Sequence, residues 1–243
     1  MQAWGLTDVG NVRTQNQDAF RIEKLPGNAL LAVVCDGMGG AKSGNVASRL
    51  ADEVFSEEVL RSFREDATLQ ETEKMLRSAV KLANISVYEH SQISEDYQGM
   101  GTTLVACLLS PRGAVILNIG DSRAYYVDAE GISRVTTDHS LVEMMVQRGE
   151  LTPEEARVHP RRNLITRAVG TAGSVAADVF VVQPRSGDCF LLCSDGLTNL
   201  VSDQEILFEV AHGARLDDCC QRLVDIAKDR GAPDNVTALL ICV

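Results

Sequence analysis

The sequence has no apolar run of membrane-spanning length, which takes about 20 residues, so it is not expected to cross a bilayer. It also has no Cys-x-x-Cys pair and no Cys/His cluster at zinc-site spacing. Its seven cysteines are an odd number, and Cys35, Cys107, Cys189, Cys193 and Cys242 lie in apolar runs. They read as reduced core thiols of a cytoplasmic protein, not as a disulfide framework. Cys219 and Cys220 read as packing residues on a helix face. Basic residues are outnumbered: 23 Lys and Arg stand against 34 Asp and Glu, for a net charge of −11. Affinity for nucleic-acid backbones comes from clustered Lys and Arg, so that class of partner is excluded. Residues 1–8 lack a basic stretch followed by an apolar one, so no secretory signal is expected. No repeat, low-complexity tract or linker interrupts the chain. Residues 1–243 therefore read as one domain, of ordinary soluble composition at 45% hydrophobic and 23% charged.

What is present is an alternation of strand-like and helix-like segments. Residues 2–8, 18–23 and 29–35 read as strands. From 43 to 63 the apolar positions Val46, Ala47, Leu50, Ala51, Val54, Phe55 and Val59 recur at helical spacing. A second helix is expected over about 68–91, opened by the capping box Thr68-x-x-Glu71. Strands at 102–109, 113–119, 123–128 and 131–136 follow without helices between them, which predicts an antiparallel meander. Residues 140–148 read as helical, and Thr152-Pro153-Glu154-Glu155 opens another short helix. Strands are expected at 178–183, 189–194 and 236–242. Between the last two lie a helix from Ser202 to Gly213 and another ending near Arg230. The pattern predicts an α+β fold with a central β-sandwich of mostly antiparallel sheets and helix pairs outside it.

Asp residues punctuate the apolar strands. Val33-Val34-Cys35-Asp36-Gly37 and Leu191-Leu192-Cys193-Ser194-Asp195-Gly196 each run from apolar residues into Asp-Gly. Taken singly, Asp-Gly is turn punctuation. Leu117-Asn118-Ile119-Gly120-Asp121 ends a third strand in Asp, Asp234 precedes the closing strand, and Asp18 opens the second. Five carboxylates flanking core strands can converge at one sheet edge, where they would repel one another. A fold gathers such groups around a hard cation, and an all-oxygen set suits Mg²⁺ or Mn²⁺.

Six motifs in order then carry a resemblance: Asn11-Val12-Arg13-Thr14-Gln15-Asn16-Gln17-Asp18, Asp36-Gly37-Met38-Gly39-Gly40, Gly101-Thr102-Thr103, Gly120-Asp121-Ser122-Arg123, Ser194-Asp195-Gly196 and Asp234-Asn235. Over nearly the whole chain they resemble the metal-dependent protein Ser/Thr phosphatases of type 2C, in their compact bacterial form. The resemblance implies hydrolysis of phosphoserine and phosphothreonine in proteins by a metal-activated water at two tight Mn²⁺ or Mg²⁺ sites, with a third, weaker site. It assigns Asp36 to a bridge between two metals, with the Gly37 carbonyl on one of them and Asp195 and Asp234 completing the pair. Asp18 would hold a metal-bound water, Asp121 would serve the third site, and Arg13 would grip the substrate phosphate. Arg123 reads as structural. The implied partners are phosphorylated proteins and a cognate Ser/Thr kinase, with no nucleic acid and no membrane, and the protein is expected to be a monomer. A non-catalytic, metal-binding relative that docks phosphoproteins is the alternative; a nucleotide-binding module is a weaker one.

Two departures from the family pattern stand out. Gln17 occupies a position where many members have Glu. Met38 stands where eukaryotic members have a His able to act as general acid. His159 is the substitute candidate for that acid, whereas His139 reads as a capping or packing residue. His159 lies in a flap-like segment, residues 149–170, whose Arg161 and Arg162 form a basic cluster suited to phosphoprotein. Neither a Cys-x5-Arg loop nor a Walker-type loop is present, so neither a cysteine nucleophile nor an ATP cradle is expected. Residues 38–42 read as close backbone packing beside metal.

Overall fold

The chain folds as two antiparallel sheets laid face to face, each covered on its outer side by helices. In the computed structural model, which describes residues 1–39, 43–213 and 215–243, the first half contains β1 (Gln2–Asp8), β2 (Asp18–Leu25), β3 (Ala29–Met38), α1 (Gly44–Ser62), α2 (Leu69–Ser91), β4 (Gly101–Thr102), β5 (Leu104–Ser110) and β6 (Gly113–Ile119). The second half continues with β7 (Arg123–Asp128), β8 (Gly131–Arg134), α3 (Leu141–Gln147), α4 (Pro153–Val158), β9 (Asp178–Val182), β10 (Cys189–Cys193), α5 (Asp195–Thr198), α6 (Asp203–His212), α7 (Cys219–Asp229) and β11 (Val236–Cys242). One sheet has the order β1-β11-β10-β7-β8 and the other β2-β3-β5-β6-β9, with β4 paired to β3.

The layering follows from the strand sequences. In β3, β5 and β6 the successive residues of Leu30–Cys35, Leu104–Leu109 and Ala114–Ile119 are buried without alternation, as strands covered on both faces must be. Odd and even positions of β3 enter different cores. Leu31, Val33 and Cys35 pack under Ala47, Phe55, Leu76 and Val80 of the helices α1 and α2. Leu30, Ala32 and Val34 meet Phe190, Leu192 and Leu239 of the opposite sheet. A third core joins Leu191, Val236 and Leu240 to Leu197, Ile206, Leu223 and Val224 of α5–α7. Capping boxes open three helices: Thr68 with Glu71, Thr152 with Glu155 and Ser202 with Glu205.

Three expectations are corrected. The four strands from 102 to 136 are not one meander: β5 and β6 belong to one sheet and β7 and β8 to the other, so the chain changes sheets at Gly120-Asp121-Ser122. The strand expected at 29–35 does not end before Asp36, because β3 runs on to Met38 and pairs Gly37 with Thr102 and Met38 with Gly101. The cysteines are not all reduced: Cys189 and Cys242, directly opposite in the β10–β11 register, are joined by a disulfide, while Cys35, Cys107, Cys193, Cys219 and Cys220 remain free and buried. Among the described residues no helix is long and apolar enough to cross a membrane.

Candidate active site

At one end of the sandwich a cavity of about 410 Å³ is lined by Asp36, Asp121, Asp195 and Asp234, with Arg13, Gly37, Met38 and Thr103. Both sheets contribute. Asp36 lies on β3, Asp121 in the sheet-crossing segment, Asp195 at the start of α5 just after β10, and Asp234 just before β11. Asp18 opens β2 directly opposite Asp36 in the ladder. The motifs far apart in sequence are thus brought to one edge.

Each acid is fixed by its neighbours. The Asp36 N–H donates to Thr103 Oγ1 (2.9 Å), the Asp36 carbonyl accepts from the Thr103 N–H (2.9 Å) and from Thr102 Oγ1 (2.9 Å), and Thr103 Oγ1 is also hydrogen-bonded to Ser122 Oγ (2.7 Å). Asp18 Oδ2 accepts from Ser194 Oγ (2.8 Å) and Thr237 Oγ1 (2.6 Å), while its Oδ1 is buried with no partner among the described residues. Asp195 Oδ2 accepts from Asn199 Nδ2 (3.0 Å), one helical turn on. Asp234 Oδ2 accepts from Arg13 Nη2 (2.8 Å). The buried Asn235 amide ties the loop to the closing strand: its Oδ1 accepts from the Gln17 N–H (2.8 Å), and its Nδ2 donates to the carbonyls of Val9 (2.9 Å) and Gln15 (3.0 Å). Gly37 admits a close backbone approach, since a Cβ there would lie 2.0 Å from the Gly44 carbonyl oxygen.

Burial and mutual repulsion push Asp36, Asp121, Asp195 and Asp18 above the usual carboxylate range. Burial first, then Asp18, Asp195, Asp121 and Asp234, pushes Asp36 well above the carboxylate range. Burial also raises Asp121, with Asp195 and Asp138 adding to it, and raises Asp195, which Asp234 pushes further. Burial lifts Asp18 to about 6 against its hydroxyl donors. A hydrogen bond with Asp36 works against the rise in Asp195.

Such a set fits a hard cation. Its acids are oxygen donors, Gly37 lines the cavity where a side chain would not fit, and among the described residues Asp18 Oδ1 is a buried carboxylate oxygen without a partner. Among the described residues no three His, Cys, Asp or Glu side chains stand close enough to hold one ion by themselves.

Not every expected residue arrives. His159 caps the end of α4, where its Nδ1 accepts the Arg161 N–H (3.1 Å); no histidine lines the cavity among the described residues. The 149–170 segment reaches the cavity through Asn163 and Ile165 instead. Arg162 lines an adjoining cavity of about 520 Å³, and Arg161 lines neither. Arg123 is held on Asp138 through Nε (3.0 and 3.1 Å) and Nη2 (2.7 Å). The reading of residues 38–42 as packing beside metal falls partly on Gly40–Lys42, outside the described residues. Sequence reasoning gave no role to Thr103, Ser194, Thr237 or Asn199. Thr103 and Ser194 stand inside two of the quoted motifs and Asn199 has its i+4 spacing from Asp195, whereas Thr237 has no signal.

The comparisons agree with this geometry. The family model described as protein phosphatase 2C matches residues 11–240. The serine/threonine phosphatase stp of Listeria monocytogenes is 36% identical, over 99% of this chain and 95% of its own length. The protein phosphatase PhpP of Streptococcus pneumoniae is 37% identical, over 97% and 95%. The crystal structure of the serine/threonine phosphatase Stp1 from Staphylococcus aureus superimposes with a TM-score of 0.94 at 38% identity, covering 100% of this chain and 94% of that one. With the match spanning nearly every residue and the acids of all the motifs gathered at one edge, this chain belongs to the protein phosphatase 2C family, a generally metal-dependent family of serine/threonine phosphatases.

Proposed function

We propose that the chain is a single catalytic domain, with residues 149–170 as a flap, that removes phosphate from phosphoserine and phosphothreonine in proteins and so reverses a Ser/Thr kinase in the cytoplasm. The observation that carries this reading is the convergence of Asp36, Asp121, Asp195, Asp234 and Arg13 on one cavity. Asp36, the Gly37 carbonyl, Asp195 and Asp234 would hold two Mn²⁺ or Mg²⁺ ions tightly, and Asp121 a third more weakly. When bound, such ions neutralise phosphate charge and lower the pKa of water.

The side chains supply the rest. Ser194 and Thr237 fix one oxygen of Asp18, leaving Oδ1 to accept a hydrogen bond and so orient a water. Arg13 presents a planar fork to the phosphate. In the resting site it is paired with Asp234, so it exchanges one anion for another when substrate arrives. Thr102 and Thr103 keep the Asp36 backbone in place. Among the described residues no imidazole lines the cavity, so His159→Ala should leave kcat unchanged even for an alkyl phosphate. A selective fall in kcat for poor leaving groups would restore His159 as the acid. The decisive assay is a phosphothreonine peptide with Mn²⁺ and then EDTA; full turnover after metal stripping would refute the reading.

Arg13→Ala should lower kcat/KM by about 10- to 100-fold, the worth of one charge-assisted bond to phosphate. Steady-state kinetics on the same peptide would show it, and a silent variant would leave Arg13 as a partner of Asp234 alone.

Melting should depend on pH in a metal-specific way. A carboxyl raised in the fold keeps its proton longer there, so its stabilising effect is present below the unfolded value near 3.8 and fades as pH rises through about 6 for Asp18. Asp36, Asp121 and Asp195 act in the same direction. His139, held neutral by burial, acts oppositely but is a single group. In EDTA the protein should therefore melt lower at pH 7 than at pH 5, and Mn²⁺ should reverse the order. A metal-free melting temperature that rises between pH 5 and 7 would contradict the buried-acid arrangement.

A further inference from the structure

The buried His139 is not used in the hydrolysis described above, yet it makes contacts that bear on Asp121. It holds Gly120 from both sides: the His139 N–H donates to the Gly120 carbonyl (2.9 Å), and the Gly120 N–H donates to His139 Nδ1 (3.0 Å). Gly120 sits at φ +104°, packed so closely on Thr103 that a Cβ would lie 2.6 Å from its Cγ2. Asn118 Nδ2 adds a third bond, to the Gly120 carbonyl (3.3 Å). The next residue is Asp121. Both its predecessor's polar groups are thus set by one side chain and its backbone, at the point where the chain leaves one sheet for the other.

The rest of the imidazole is anchored too. A backbone N–H can only donate, so Nδ1 carries the lone pair and the proton of the neutral ring is on Nε2. Nε2 lies 3.1 Å from Asp178 Oδ2 and donates to it. Arg167 Nη1 lies 2.9 Å from Nε2 and donates to Asp178 Oδ1 (2.9 Å) and the Ala176 carbonyl (3.1 Å). The His139 carbonyl accepts from the Thr166 N–H (2.7 Å), and the adjoining Leu141 N–H donates to the Leu164 carbonyl (2.8 Å). His139 is therefore the point at which the returning arm of the 149–170 segment, the start of β9 and the Asp121 loop meet.

We propose that His139 is a positioning residue for Asp121: as the Nε2-protonated imidazole, oriented by Asp178, it fixes the Gly120 peptide and thereby the direction of the Asp121 carboxylate. The inference rests on the reading of Asp121 as a ligand of the weaker metal site. Groups that orient a ligand in this way are worth about 10- to 100-fold in metal affinity or activity. Asn and Gln separate the two ends of the ring, because Asn Oδ1 occupies the place of Nδ1 and Gln reaches only toward Nε2.

The experiment has two parts. In the metal-free native protein, ¹⁵N shifts of the His139 ring should show the Nε2–H tautomer at neutral pH; the Nδ1–H tautomer would overturn the proposal. In the variants, His139→Gln should speed hydrogen exchange of the metal-free Gly120 amide by about tenfold or more and raise the Mn²⁺ needed for half-maximal aryl phosphate hydrolysis by a similar factor, with KM unchanged. His139→Asn should stay close to native in both. If Asn is no better than Gln, or if both keep the native Mn²⁺ response, His139 only packs. A native protein inactive on aryl phosphate with Mn²⁺ would instead refute the phosphatase reading, while the tautomer and the Gly120 exchange would still report on the clamp.

Discussion

Asp36→Asn should lower kcat on a phosphothreonine peptide by at least about a hundredfold, since it removes the one charge that both tight metals would share. Asp195→Asn and Asp234→Asn should follow it. The Asp36 variant has a second, opposite consequence. In the metal-free chain burial and the neighbouring acids penalise an ionised Asp36, and an Asn amide carries no such penalty. The variant removes a source of repulsion, so in EDTA it should melt at or above the native temperature. Adding Mn²⁺ should raise the native melting temperature and barely move that of the variant, because stabilisation by a ligand follows its affinity for the folded state. Calorimetry with and without Mn²⁺, beside kinetics, separates loss of metal from loss of fold. An Asp36→Asn protein that keeps native turnover, or responds to Mn²⁺ as the native chain does, would remove Asp36 from the centre.

Asn235→Ala should be the most destabilising single change at the site. Its buried amide satisfies one N–H and two carbonyls of the segment from Val9 to Gln17. Ala leaves all three groups without that partner, at a cost of about 3–5 kcal/mol if each loses a typical buried bond. For a chain of this size that is a fall of about 10 °C in melting temperature. Activity should fall as well, because the same segment carries Arg13 and leads into Asp18. A melting temperature within a degree of native would show that water replaces the amide without penalty.

Much of this was legible in the sequence because the signals were local. The helical spacing from Val46 to Val59 and the three capping boxes name their elements without tertiary help. The Asp residues declared themselves by standing at the ends of apolar runs. Other features depend on contacts that no local pattern records. Asp36-Gly37 has the composition of a turn, yet the ladder to Gly101-Thr102 and the proximity of Gly44 keep it extended. Gly120-Asp121-Ser122 is short enough for a hairpin, and β6 and β7 are both largely buried, so nothing in their apolar pattern reveals a change of sheet. Cys189 and Cys242 are 53 residues apart and meet only because β10 and β11 pair. His139 has the sequence setting of a cap, but its imidazole is engaged on both sides. His159 had suitable chemistry and a suitable neighbourhood, but a local hydrogen bond to the Arg161 N–H keeps it at the end of α4.

The strand order also governs when the enzyme can first act. β11 follows every other described strand in the sequence and lies between β1 and β10. Until residues 236–242 leave the ribosome, β1 has no neighbour in its own sheet and Asp18 lacks the Thr237 hydroxyl. Asp234 and Asn235 emerge only just ahead of that strand. A nascent chain made only as far as residue 233 therefore contains nearly every motif and no assembled site, with the edges of β1 and β10 open to wrong partners. Dephosphorylation therefore waits on β11, and a chain lacking residues 234–242 should be both inactive and prone to aggregate.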